Sequence, residues 1–160
     1  MLIQRRLQLI VINDHQSTSR LVDGLIIMIE TNKRLTVMIL DDEEDILTLY
    51  SDYLSRKGHR VIKTYPNADT ILSDIDIERP DVYIIDYRLP TNRNGIEVAS
   101  EILKKFPTSC IMFITAFEFL DHEISKHDIF NDKNIEVLIK PVKLRQIEDS
   151  LLNLVSNETS

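Results

Sequence analysis

Four short apolar runs in this sequence end in residues that could do chemistry together. Residues 37–40 lead into Asp41-Asp42-Glu43, and residues 82–85 lead into Asp86. Residues 110–114 lead into Thr115-Ala116, and residues 135–139 into Lys140-Pro141. Singly, each has an ordinary explanation. An acidic pair ahead of a helix caps it and suits its dipole. A lone Asp or Thr fits a turn or a cap, and a Lys before Pro is usually solvated. Gathered in one place, the carboxylates would repel one another and need a cation or an ammonium beside them. The chemistry such a group suits is phosphoryl transfer with a divalent metal. Mg²⁺ takes oxygen ligands and keeps some of its waters. Asp42 and Asp86 can ligate it directly, Asp41 through a water, and the backbone carbonyl of Arg88 can add another oxygen. Asp86 can act as the nucleophile, because a carboxylate accepts a phosphoryl group as an aspartyl phosphate. The Thr115 hydroxyl and the Ala116 N–H can donate to the phosphoryl oxygens, and Lys140 can neutralise one.

These residues act together only if the fold brings their strands side by side. Apolar runs alternate with helical patterns from residue 36 onward. Strands are expected over residues 36–40, 60–64, 81–86, 110–115 and 135–139. Helices are expected over 43–57, 67–77, 95–106, 119–129 and 142–155, the fourth being the weakest. Gly58 stops the first helix and Pro107 the third. Five strands alternating with five helices predict a doubly wound parallel sheet. Ligands in such sheets sit beyond the carboxyl ends of the strands, where the acids, the hydroxyl and the lysine fall.

Residues 1–35 read as an N-terminal extension. Residues 7–13 fit a strand and 19–30 a helix; a loosely ordered leader, or a start at Met28, fits as well. Residues 156–160 read as a polar tail. The extension differs in charge, since residues 1–37 carry +2 against −7 for the whole chain. That acidic balance weighs against direct nucleic-acid binding. At 43% hydrophobic and 28% charged, the composition is that of a soluble globular domain. Its one cysteine, Cys110, lies in an apolar run and reads as a buried thiol. No run is long enough to span a bilayer, so no membrane insertion and a cytoplasmic location are expected. His15, His59, His122 and His127 show no metal-ligand spacing and are expected at the surface.

The motifs resemble the receiver domain of two-component response regulators over residues 36–155. The matching stretches are Val37-Met38-Ile39-Leu40-Asp41-Asp42-Glu43, Asp81 through Pro90, Ile114-Thr115-Ala116 and Lys140-Pro141. The resemblance implies a flavodoxin-like (βα)5 fold with strand order 2-1-3-4-5. It implies Mg²⁺-dependent phosphorylation of Asp86 by a sensor histidine kinase or phosphotransfer protein, with Thr115 and Lys140 as catalytic groups. It also implies a cis Lys140–Pro141 peptide. No effector module is visible after residue 155, so a stand-alone, chemotaxis-type receiver is expected, one that switches binding to an unknown downstream protein. It would be no enzyme beyond its own phosphorylation and dephosphorylation, and a homodimer is one arrangement open to it.

Three departures stand out. The family usually has an aromatic residue three positions before the lysine, coupled to the threonine; here it is Val137. Gly95 lies nine residues after Asp86 where eight is usual. The stretch from Thr115 to Lys140 is long. Arg88 and Phe117, each two residues past a site residue, are candidates for setting phosphoryl lifetime, with Phe117 obstructing the attacking water. An alternative reading is a receiver-fold interaction domain that signals without phosphorylation. An aspartate-nucleophile phosphatase is disfavoured, because the position of its general acid holds Arg88.

Overall fold

A computed structural model describes residues 20–22, 25–27, 33–90 and 92–156. Contacts divide the chain into two units, 1–33 and 34–160. In the first, Arg20–Val22 and Leu25–Ile27 pair antiparallel, with Leu21 opposite Ile26. Of the readings open for this segment, the helix over 19–30 is the one these strands contradict. The β-branched content of residues 25–27 and the intervening Asp23-Gly24 dipeptide favour paired strands over a helix. The strand expected over 7–13 lies outside the described residues.

The second unit contains β1 (Thr36–Leu40), α1 (Glu44–Arg56), β2 (Arg60–Tyr65), α2 (Ala68–Asp74) and β3 (Val82–Ile85). It continues with α3 (Gly95–Lys105), β4 (Cys110–Thr115), α4 (Leu120–Ile124), β5 (Ile135–Ile139) and α5 (Leu144–Ser156). The five strands form a parallel sheet in the order β2-β1-β3-β4-β5. The parallel sheet is the one the strand–helix alternation predicts, and its order is the flavodoxin-like order that the receiver resemblance implies. β3 and β4 are buried along their whole length, as central strands covered on both faces must be.

Successive strand residues point to opposite faces, and two cores result. Val37, Ile39, Val82, Ile84 and Met112 pack with Leu47 and Leu54 of α1 and Ile147 and Leu151 of α5. Met38, Leu40, Ile85, Ile111 and Phe113 pack with Ile71 of α2, Ile102 of α3 and Leu120 of α4. Cys110 is buried in the first core, as expected.

Several elements are shorter than the sequence predicts. α2 ends at Asp74, whose carboxylate accepts from Lys63 and from Tyr65 Oη of β2; residues 75–77 leave the helix as a turn. The helix expected over 119–129 is only Leu120–Ile124, followed by a 3-10 turn at Asp128–Phe130. No side chain caps its start. The Ser125 hydroxyl bonds back to the His122 carbonyl, and Phe130 is buried in the core. Ser156, expected in the tail, closes α5 and donates its hydroxyl to Leu152 O. His59, expected at the surface, is buried, and its Nδ1 accepts the Leu35 N–H at 3.2 Å. It sits between α1 and β2, where the chain turns back under the sheet. Of the other histidines, His122 and His127 are exposed and His15 lies outside the described residues. Among the described residues, no helix is long and apolar enough to cross a membrane.

Candidate functional site

Strand register assembles the site. Leu40 pairs with Ile85, so Asp41 and Asp86, the next residues of neighbouring strands, emerge side by side. The Asp86 N–H donates to Leu40 O at 2.8 Å. Thr115 pairs with Ile139, and the Lys140 N–H donates to Thr115 O at 2.8 Å. The Lys140–Pro141 peptide is cis.

Lys140 Nζ lies 2.8 Å from Asp41 Oδ2, 3.3 Å from Asp86 Oδ2 and 3.6 Å from Glu43 Oε1. Asp41, Asp42 and Asp86 each present a carboxylate oxygen within 4.8 Å of the others. Asp41 and Asp86 are buried; Asp42 is exposed. Backbone donors hold the buried pair in place. The Glu43 N–H donates to Asp41 Oδ1 at 2.9 Å, and the Arg88 N–H to Asp86 Oδ1 at 3.3 Å. Burial raises the Asp41 pKa above the usual carboxylate range, and Lys140 offsets only part of it. Burial works against the charge of Lys140, but Asp41 and Asp86 overcome it and hold its pKa above that of a free lysine. The donor set is all oxygen, and one ammonium faces three carboxylates. Those are the features a hard divalent cation such as Mg²⁺ matches.

Thr115 is fully buried, and its Oγ1 accepts the Phe117 N–H at 3.3 Å. Ala116, at the mouth, is exposed. Asp41, Asp42, Asp86 and Lys140, predicted from sequence, thus come together, and Thr115 is joined to Lys140 through its backbone carbonyl. Arg88 and Phe117 come together beside them rather than among the acids: the Arg88 guanidinium lies 5.4 Å from the centre of the Phe117 ring. The Phe117 ring stacks on Tyr87 at 5.0 Å. An open cavity of about 550 Å³ lies over these rings, lined also by Leu89, Asn92 and Asn94.

Sequence reasoning misses three participants. Glu43 reaches Lys140, which its place after the acidic pair could have signalled. Tyr87 carries no chemical signal, since its partner ring is thirty residues away in sequence. Gly95 reads in the sequence only as a helix start and by its spacing from Asp86. A Cβ there would stand 2.3 Å from the Asp86 carbonyl oxygen and 2.9 Å from Tyr87 Cα. Only glycine lets α3 begin against the backbone of the acceptor strand.

Residues 37–152 match the family model of the response regulator receiver domain. The chain belongs to that family. The receiver is 34% identical over 80 residues to the alkaline phosphatase synthesis transcriptional regulatory protein PhoP of Bacillus subtilis. That match takes in 50% of this chain and 32% of the relative, so the chain spans about a third of that protein's length. Among solved structures, the CheY-like receiver domain protein of Methanospirillum hungatei superposes with a TM-score of 0.68 at 20% identity. It covers 79% of this receiver and 98% of its own chain. The CheX–CheY–BeF3–Mg²⁺ complex of Borrelia burgdorferi gives a TM-score of 0.65 at 16% identity, covering 74% and 87%. At those identities the likeness speaks for the fold. Receiver domains bind Mg²⁺ at an acidic pocket, and this one carries a group of three aspartates at the expected strand ends.

Proposed function

We propose that this receiver is a phosphorylation switch with Asp86 as its acceptor. The observation that carries the reading is the Lys140 ammonium held between Asp41 and Asp86, with carboxylate oxygens of Asp41, Asp42 and Asp86 within 4.8 Å of one another. Such a cluster is costly unless charge is to be neutralised there. Asp41, Asp42, Asp86 and the Arg88 carbonyl would hold Mg²⁺, which supplies charge neutralisation for the transferring phosphoryl group. The donor is a phosphohistidine of a sensor kinase or phosphotransfer protein. An Asp86 carboxylate oxygen attacks phosphorus, the phosphorus–nitrogen bond breaks, and the imidazole leaves and takes a proton. The Thr115 hydroxyl and the Ala116 N–H donate to the phosphoryl oxygens, while Lys140 moves from carboxylate to phosphoryl oxygen. Phe117 and Arg88 set how readily water reaches the phosphoryl group. The chain is no enzyme beyond this self-catalysed gain and loss, and its output is altered binding to a downstream protein. Transfer from a kinase fed by ATP puts it in the cytoplasm.

Mass spectrometry after incubation with acetyl phosphate and Mg²⁺ tests the reading. The wild type gains one phosphoryl group and Asp86→Ala gains none. An equal gain in both, or a gain in neither, removes Asp86 as acceptor.

A further inference from the structure

We propose that the Tyr87–Phe117 ring stack couples the Thr115 hydroxyl to the exposed Phe119 ring and so carries the state of Asp86 to the surface. The inference rests on the phospho-acceptor reading above. Three contacts build the path. The Phe117 N–H is bonded to Thr115 Oγ1 at 3.3 Å, a long bond that a stronger partner can draw open. The Phe117 ring lies on Tyr87, centroids 5.0 Å apart and planes 24° from parallel, and Tyr87 is the residue after Asp86. Phe119 meets Phe117 edge-on at 6.1 Å and is 69% exposed.

The stack therefore touches both sides of the site. One ring follows the acceptor in the chain, and the other belongs to a residue tethered to the hydroxyl. Thr115 is fully buried, so its hydroxyl has no bulk water to turn to. When it donates to a phosphoryl oxygen, Oγ1 shifts toward Asp86 and away from the Phe117 N–H. The peptide at Phe117 then follows or loses its partner, and either outcome moves its ring against Tyr87. β5 offers no ring for this purpose, since Val137 is aliphatic and only partly buried. The segment that receives the motion is short. α4 has five residues and no side-chain cap at its start. The free-energy source is the differential one any switch requires, a hydroxyl that bonds better with phosphoryl present than absent. Phe119 is the exposed end at which a partner would sense the change.

Beryllofluoride with Mg²⁺ serves as the probe. Its binding is followed by the fluorine resonance of the bound ion, and the response by hydrogen exchange over residues 117–124. In the wild type the probe binds and exchange over 117–124 changes by about threefold or more. In Tyr87→Leu and in Phe117→Leu the probe still binds and that change is lost. Tyr87→Phe, which keeps the ring, restores it. A bound probe with unaltered exchange over 117–124 in the wild type overturns the coupling. So does a full response in a folded Leu variant, and having two such variants covers the failure of either to fold. Absence of any bound fluorine resonance in the wild type removes the phospho-acceptor reading itself, and the coupling with it.

Discussion

Two buried carboxylates share one ammonium at this site, and that sharing sets what each residue can do. Asp41 takes the shorter contact with Lys140, 2.8 Å against 3.3 Å for Asp86. Asp86 thereby holds the lysine the more loosely of the two, with its other oxygen accepting the Arg88 N–H at 3.3 Å, while Asp41 anchors the lysine. Lys140 also occupies space and charge that a divalent cation would use. Removing it by Lys140→Ala should thus act in opposite senses on two measurements. Mg²⁺ affinity, measured by isothermal titration calorimetry, should rise roughly three- to thirtyfold, because a cation beside the ligands is gone. The rate of phosphorylation by acetyl phosphate should fall about a hundredfold, because a group aimed at the transferring oxygens is gone. A fall in both would show that Lys140 holds the carboxylates in place more than it competes with metal.

Elements hold these residues through close approaches that tolerate little change. α3 starts with a capping box, in which the Asn94 side chain accepts the Glu97 N–H and Glu97 accepts the Asn94 N–H. This fixes Gly95 against the Asp86 carbonyl, where the atoms a Cβ would strike are backbone. Gly95→Ala should cost about 1–3 kcal/mol in urea denaturation. It should also lower Asp86 phosphorylation in the fraction still folded; unaltered phosphorylation would mean that the acceptor strand moves without harm.

At the far end of the sheet, His59 locks the entry to β1 through Leu35. Burial lowers its pKa, Glu148 opposes that and Lys57 adds to it, so the fold holds the neutral ring. The unfolded chain binds the proton at the ordinary histidine pKa of about 6.5. The stability His59 contributes is therefore complete above that pH and is lost as pH falls below it, at no more than about 1.4 kcal/mol per pH unit. Urea midpoints between about pH 7.5 and pH 5.5 should fall less in His59→Gln than in the wild type. Equal falls would assign the acid sensitivity to other groups.

Among the described residues, two hydrophobic cores are drawn from residues between Leu35 and Val155. The neighbouring Methanospirillum hungatei structure is covered over 98% of its chain by 79% of this one. A fragment of residues 34–160 should consequently unfold in one cooperative transition, with a midpoint within about 2 °C of the whole chain by calorimetry. It should also take up the phosphoryl group on Asp86. A lower midpoint or a lost reaction would show that residues 1–33 contribute to the receiver. Surface ion pairs such as Lys104–Glu101 and Arg145–Asp149 should matter little to that midpoint, because exposed pairs contribute only tenths of a kcal/mol.

Much of this receiver is written locally in its sequence. Period-two and period-three-to-four apolar patterns depend on near neighbours. The five strands, the order of elements and the strand-end residues Asp41, Asp86, Thr115 and Lys140 are therefore legible in the chain itself. The shortened α2 and α4 are not, because Lys63, Tyr65 and the buried Phe130 act on them from other parts of the chain. Nor is the burial of His59, or the close approach that requires Gly95. The Tyr87–Phe117 stack belongs with these, since two loops meet only after β3 and β4 pair. Chemistry at the strand ends followed from residue type and strand order. Who touches whom around it was decided by packing, because contacts between distant segments exist only once the sheet has formed.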